Sequence, residues 1–250
     1  MNPEKKFIGI IPARYASTRF PGKPLADIRG KIMVQRVYEQ ASRALDVVCV
    51  ATDDERIFKA VQSFGGNAVM TSASHRSGTD RCAEAVRLVE RDRGERFDAV
   101  LNIQGDEPFI EPEQLELVKS CFSDERTQIA TLAKVINNET DLLDPNRPKV
   151  VMNNNSEAIY FSRSTIPFLR GKEMQSWLSS HTYYLHIGLY GFLKPVLFEI
   201  TRLPQSPLEM AESLEQLRWI ENGYRISVRT TTCESVGIDT PEDLKRVSGE

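Results

Sequence analysis

The sequence predicts an α/β protein whose mixed, mostly parallel sheet is flanked by helices, with a smaller antiparallel portion. Three observations predict it. Short β-branched runs alternate with amphipathic helical stretches through the first half, the rhythm loosens into strands after Ile129, and 250 residues suffice for one sizeable core. Phe7-Ile8-Gly9-Ile10-Ile11 has the length and composition of a strand buried on both faces, as parallel strands are. Helices are expected over residues 33–45, 55–64, 79–91 and 113–122, with strands over 47–51, 67–70 and 97–103. The charged run 90–96 reads as a solvated helix end.

Further strands are expected over 129–135, 149–152 and 158–162, and a long one over 181–193. Its odd positions Leu185, Ile187 and Leu189 are aliphatic, while Tyr184, His186, Gly188, Tyr190 and Phe192 alternate with them, so one face packs and the other is aromatic and polar. Ser206-Pro207-Leu208-Glu209 is a capping box with proline at the first helical position, opening a helix expected through Glu221. A last strand over 225–229 precedes a closing helix over 241–247.

Composition narrows the function. A net charge of −3 argues against a general nucleic-acid or anionic-membrane surface, so any anion site is local and neither partner class is expected. The four cysteines, Cys49, Cys82, Cys121 and Cys233, show no C-x-x-C spacing and read as buried thiols of a reducing, cytoplasmic compartment. The apolar run after Lys5-Lys6 is too short for a signal peptide, and no stretch approaches the roughly 18 apolar residues of a spanning helix. Three histidines leave little room for a histidine metal cage.

Two sites carry chemistry. The first strand leads into Pro12-Ala13-Arg14-Tyr15-Ala16-Ser17-Thr18-Arg19-Phe20-Pro21-Gly22-Lys23-Pro24, a cationic loop at a strand's carboxyl end, where open α/β sheets bind ligands. Pro21-Gly22 fits the centre of a type II turn, which would aim Lys23 back toward the strand end. Arg14, Arg19 and Lys23 with turn N–H groups suit a polyphosphate. The loop is neither a Walker A motif nor a G-x-G-x-x-G fingerprint. The second site is acidic. Gln104-Gly105-Asp106 ends the 97–103 strand at the same expected edge, and Asp239 precedes a helix already capped by Thr240 with Pro241 and Asp243 behind it. Two carboxylates plus phosphate oxygens are a usual Mg²⁺ ligand set, and Gly105 is expected to let the backbone pass close to such a ligand.

The stretches IIPARYASTRFPGKPLADI, VATDDERI, GGNAVMTSASHRSGTDR, NIQGDEPFI, YFSRSTIP, HIGLYGF, SPLEMAESLEQLR and GIDTPEDL, in this order, resemble the bacterial 3-deoxy-D-manno-octulosonate (KDO) cytidylyltransferases. The resemblance implies a Rossmann-like nucleotide-diphosphosugar transferase fold in a single domain. Within it, residues 1–135 would form the nucleotide-binding half, 136–230 the sugar-binding and dimer portion, and 231–250 a returning metal-ligand segment and closing helix. It also implies transfer of CMP from CTP to KDO for lipopolysaccharide inner-core synthesis, with Mg²⁺ as cofactor and a homodimer as assembly.

Carried across by position, Ala13, Arg14, Arg19, Lys23, Ser77, Arg81 and Gln104 would bind the nucleotide, and Asp106 and Asp239 the magnesium. Arg163, His186, Tyr190, Glu215 and Gln216 would line the sugar-acid pocket, with Arg14, Lys23, Asp106 and Asp239 as the catalytic set. Residue chemistry supports part of this. Arg163 at a strand end suits a carboxylate, and His186 and Tyr190 share a strand face across Gly188. The Glu215 and Gln216 roles rest mostly on the resemblance. A CMP-sialic acid synthetase would share CTP, a 2-keto acid sugar and the fold, and the assay of the two sugars separates them.

Overall fold

The computed structural model describes residues 5–16, 20–233 and 237–248, and the chain divides into two compact units. The first comprises residues 1–116, 191–201 and 234–250, and the second 117–190 and 202–233. The first unit ends before the division expected at residue 135, and a later segment returns to it. The reason is visible in the first unit: Lys194 opens the helix Lys194–Ile200, donates its N–H to the Asp98 carbonyl (2.9 Å) and pairs its ammonium with Glu90 (2.5 Å). Glu90 is buried and also accepts from the Phe97 N–H (2.9 Å), an internal anchor at the start of a helix end that is otherwise solvated as expected, with Arg91, Asp92, Arg93 and Arg96 exposed.

In the first unit, strand Phe7–Ala13 pairs in parallel with Val48–Thr52 on one side and Ala99–Asn102 on the other, and Val48–Thr52 with Ala68–Met70. Ile8, Ile10 and Ile11 are fully buried, as continuous apolar strands between helical layers are. The register places Ala13 opposite Thr52, while the pairing to Ala99–Asn102 ends at Ile10 and Asn102. Phe7–Ala13 thus runs on past its neighbour, and the backbone after Asn102 crosses its end. A Cβ on Gly105 would lie 2.9 Å from the Pro12 carbonyl oxygen. That backbone crossing by itself requires the glycine.

Helix Gly78–Arg93 follows strand Ala68–Met70 and is closed at both ends, by a Ser77/Asp80 capping box and by Gly94 in the left-handed conformation (φ 68°). Helix Pro241–Ser248 packs Leu244 and Val247 against a buried cluster of Ile28, Met33 and Ile238. That contact brings the late segment back beside the first loop.

In the second unit, strand Ile129–Val135 pairs in parallel with Ile226–Thr230, while Lys149–Met152 runs antiparallel to Ala158–Ser162 and to the start of Tyr184–Leu193. The expected mixed character is present. Leu185, Ile187 and Leu189 are buried and Tyr184, His186 and Gly188 half-buried; from Tyr190 to Phe192 every residue is buried. Trp177, Tyr183, Ile136 and Leu142 form a second core cluster. The helix expected to run unbroken from Pro207 to Glu221 is two, Pro207–Glu212 and Glu215–Glu221. Ser213 sits at φ 51°, a conformation no α-helix contains, so Glu209, Glu212 and Gln216 do not share one helical face.

Candidate active site

The geometry of the first loop follows from its turn. Lys23 donates its N–H to the Phe20 carbonyl (3.2 Å) with Gly22 at φ 73°, the arrangement of a type II turn, and the Gly22 N–H bonds to the Tyr15 carbonyl (2.9 Å). The Tyr15 ring lies under the turn, where a Cβ on Gly22 would meet it at 3.1 Å, and the Arg56 guanidinium covers the ring 3.3 Å from its centroid. Tyr15 thus sets the loop's shape. Polar residue types drew attention to the loop, and an aromatic staple inside it carried no such signal.

Lys23 joins both predicted carboxylates. Its ammonium lies 2.7 Å from Asp106 Oδ2 and 3.1 Å from Asp239 Oδ1; the lysine side chain is 13% exposed and the carboxylates 33% and 47%. The two acidic segments are also tied through the backbone, the Ile238 N–H donating to the Asp106 carbonyl (2.9 Å). Thr240 forms the expected capping box: its Oγ1 accepts from the Asp243 N–H (3.2 Å), and Asp243 Oδ2 accepts from the Thr240 N–H (3.0 Å). The Asp239 N–H also donates to Asp243 (3.1 Å), which fixes the backbone while the Asp239 carboxylate reaches Lys23.

One ammonium between two carboxylates leaves a net negative charge, at a spot where a cation already bridges both acids. The residues therefore fit a divalent ion. Among the described residues no group of three or more histidine, cysteine, aspartate or glutamate side chains gathers, so an ion here would complete its shell with non-protein oxygens, as Mg²⁺ characteristically does.

The other nucleotide-side residues separate into two groups. Arg14 follows the strand end and donates through Nη2 to the His75 carbonyl. Burial lowers its pKa, as does the neighbouring Arg81 charge, against the pull of Asp53 and Asp80. Ala13 is the last residue of its strand, Gln104 is half-buried with its carbonyl accepting from the Glu107 N–H (3.3 Å), and Arg19 lies outside the described residues. Arg81 departs from expectation. It is fully buried, bonded to Thr71 Oγ1 (2.6 Å) and ion-paired with Asp53 (3.0 Å), so it braces the fold instead of presenting a guanidinium to a nucleotide. Ser77 is the helix cap, its Oγ accepting from the Asp80 N–H (3.1 Å). The hydroxyl's acceptor side is committed to the helix.

On the sugar-acid side, Arg163 is held by three backbone carbonyls: those of Glu212 (2.6 Å), Pro145 (2.9 Å) and Ser213 (3.3 Å). Carbonyls orient a guanidinium without neutralising it, so the site keeps its positive charge in a fixed direction. The Glu212 carboxylate accepts from the Ser162 hydroxyl (2.6 Å) and the Arg163 N–H (2.9 Å). The left-handed Ser213 turns the Glu212 and Ser213 carbonyls toward Arg163, a role for residues 212–213 that helical periodicity concealed.

His186 packs edge-on against Phe161 (centroids 5.4 Å from Tyr190 and 4.8 Å from Phe161), with Nε2 3.2 Å from Thr131 Oγ1. Burial drives its pKa down to about 3, so the ring is neutral at pH 7. Tyr190 stacks edge-on to Trp219 (5.1 Å), and burial pushes its phenol well above the ordinary value. Glu215 pairs with Arg218 (2.9 Å), and the Gln216 amide nitrogen is buried without a hydrogen-bond partner among the described residues. The structure therefore brings Arg163, His186, Tyr190, Glu215 and Gln216 into one unit, with Glu215 held in an ion pair.

Comparison with known proteins places the chain among cytidylyltransferases. The cytidylyltransferase family model matches residues 8–226. A 3-deoxy-manno-octulosonate cytidylyltransferase of Parabacteroides distasonis is 63% identical over 245 residues, 96% of each chain, and one of Bacteroides thetaiotaomicron is 60% identical over 243 residues, again 96% of each. A solved structure of CMP:2-keto-3-deoxy-manno-octonic acid synthetase complexed with CTP matches with a TM-score of 0.87 at 41% identity, covering 98% of this chain and 97% of that one. With the lysine-bridged carboxylates at the strand ends and matches spanning nearly its whole length, the chain belongs to the 3-deoxy-manno-octulosonate cytidylyltransferase family.

Proposed function

We propose that this protein transfers CMP from CTP to the anomeric C2 hydroxyl of KDO, giving CMP-KDO and pyrophosphate. The bridge from Lys23 to Asp106 and Asp239 is the observation that carries this reading, because it sets a cation and two acids beside the triphosphate loop. In the reaction the sugar hydroxyl oxygen forms a bond to the α-phosphorus, the bond from that phosphorus to the α–β bridging oxygen breaks, and the hydroxyl proton is lost. Charge is the main obstacle. A sugar carboxylate must approach a polyanionic nucleotide, and one close like-charge contact costs about 4 kcal/mol at an effective dielectric near 20.

The chain's own residues offset that cost. Arg14 and Lys23 supply fixed positive charge for the triphosphate, and Arg163, aimed by its three carbonyls, supplies it for the sugar carboxylate. His186 is neutral and so offers a hydroxyl one donor or acceptor without adding charge. Asp106 and Asp239 would hold Mg²⁺, which when bound supplies a Lewis acid for phosphate oxygens and the attacking hydroxyl. Positioning and electrostatics would do most of the catalysis, as in phosphoryl transfer generally. The same reading, through the family resemblance, puts the product in lipopolysaccharide inner-core synthesis and the enzyme in the cytoplasm as a homodimer.

The test measures pyrophosphate release from CTP with KDO or N-acetylneuraminate, each with Mg²⁺ and with EDTA. Release with KDO alone, abolished by EDTA and restored by Mg²⁺, is expected. Turnover of N-acetylneuraminate in preference to KDO would overturn the sugar assignment, and undiminished turnover in EDTA the metal assignment.

A further inference from the structure

We propose that His75 and Glu84 are positioning residues for Arg14, fixing the loop carbonyl that aims its guanidinium at the triphosphate. This rests on the reading of Arg14 as a triphosphate ligand. Arg14 directly follows its strand, and its terminal nitrogen bonds across the unit to the backbone carbonyl of His75. That carbonyl belongs to a short connection between strand Ala68–Met70 and helix Gly78–Arg93, with no regular backbone ladder to hold it.

Glu84, in the second turn of the helix, supplies the missing anchor. Its Oε2 accepts from the His75 ring Nε2–H and from the Ser72 N–H (2.8 Å), binding both sides of the connection to one carboxylate. Ser72 and Ser74 tighten the interval, their hydroxyls 2.7 Å apart and the Ser74 N–H donating to Ser72 Oγ (3.2 Å). His75 and Glu84 are only partly exposed, at 19% and 34%. These bonds hold Glu84 ionised against the cost of its burial: its carboxyl is lowered, with burial opposing and the Ser72 N–H and His75 ring favouring the charged form. Arg14 can then present its remaining N–H groups in one direction. A guanidinium tethered at one nitrogen loses less freedom when it closes on phosphate oxygens, the usual benefit of preorganisation.

Calorimetric titration of the enzyme with CTP, without sugar, tests the proposal in a double-mutant cycle of Glu84→Ala and Arg14→Ala. Glu84→Ala alone is expected to weaken CTP about fivefold, and Glu84→Gln, which keeps an acceptor oxygen, to restore most of the affinity. With Arg14 already replaced by alanine, adding Glu84→Ala should change CTP affinity less than about twofold. The KM for KDO should stay within about twofold of the parent in Glu84→Ala, a split that general loosening of the fold would not give. His75→Ala, cutting the same tether from its other end, should repeat the pattern and serves if Glu84→Ala does not fold. An equal loss of CTP affinity in both backgrounds overturns the coupling while leaving Arg14 a ligand. Unchanged CTP affinity in Arg14→Ala overturns the ligand role itself, and the proposal with it.

Discussion

The lysine-bridged acids of the first unit and the aromatic wall of the second handle charge in opposite ways. Asp106, Asp239 and Lys23 keep three formal charges at a partly exposed strand edge, one ammonium against two carboxylates. His186 is held neutral and the Tyr190 phenol protonated by burial, beside the apolar ring of Phe161, and Arg163 is oriented by backbone dipoles. The first arrangement suits a highly charged ligand with its own counterion. The second suits a sugar, whose hydroxyls need donors and acceptors and whose carboxylate needs one directed positive charge.

The sharpest way to break this contrast is Asp106→Asn. Loss of one acid should cut kcat about a thousandfold while the melting temperature holds, because the change removes charge from a partly exposed site and no packing. Near-normal pyrophosphate release by the folded variant would remove Asp106 from the chemistry.

Arg81→Met comes next. Leaving Asp53 without its buried partner should cost about 3 kcal/mol of folding stability, seen in urea unfolding, with CTP affinity in the folded protein nearly unchanged. A stable variant with weak CTP binding would return Arg81 to the nucleotide.

Arg163→Ala should raise the KM for KDO about tenfold to a hundredfold and that for CTP less than about twofold, the signature of a lost charged contact to one ligand only. Equal effects on both would deny it a carboxylate clamp.

The smallest effect is in pH. The folded-state pKa of His186 lies below its unfolded value of 6.5, so the unfolded chain binds the extra proton first as pH falls. Its contribution is intact above pH 6.5 and is lost progressively down to about pH 3. About 1–2 kcal/mol should disappear between pH 7 and pH 5. His186→Gln should flatten that limb of the unfolding profile, and an unchanged slope would mean the ring is charged in the folded protein.

Much of this was legible in the sequence because it is local. The Pro21-Gly22 turn, the Thr240 and Ser206 capping boxes and the Phe7–Ala13 strand depend on residues within a few positions of one another, and the structure has each of them. Glu90 was misread for the opposite reason: charge on a helix normally signals solvent, and only Lys194, 104 residues away, explains why it is buried, as Asp53, 28 residues away, explains the buried guanidinium of Arg81. The break at Ser213 is of the same kind. An adequate helix former takes a left-handed conformation there, and its carbonyl and that of Glu212 bond to Arg163, about 50 residues away.

Sequence by itself determined the alternating α/β order, the loop chemistry and the two acids, since periodicity, turn stereochemistry and ionisation belong to the residues themselves. Tertiary structure alone decided that one lysine ammonium stands between Asp106 and Asp239, that His186 is neutral and that Arg163 rests on carbonyls. Each depends on groups distant in the chain meeting where water is partly excluded, and neither a contact nor its dielectric surroundings can be read from a single stretch of sequence.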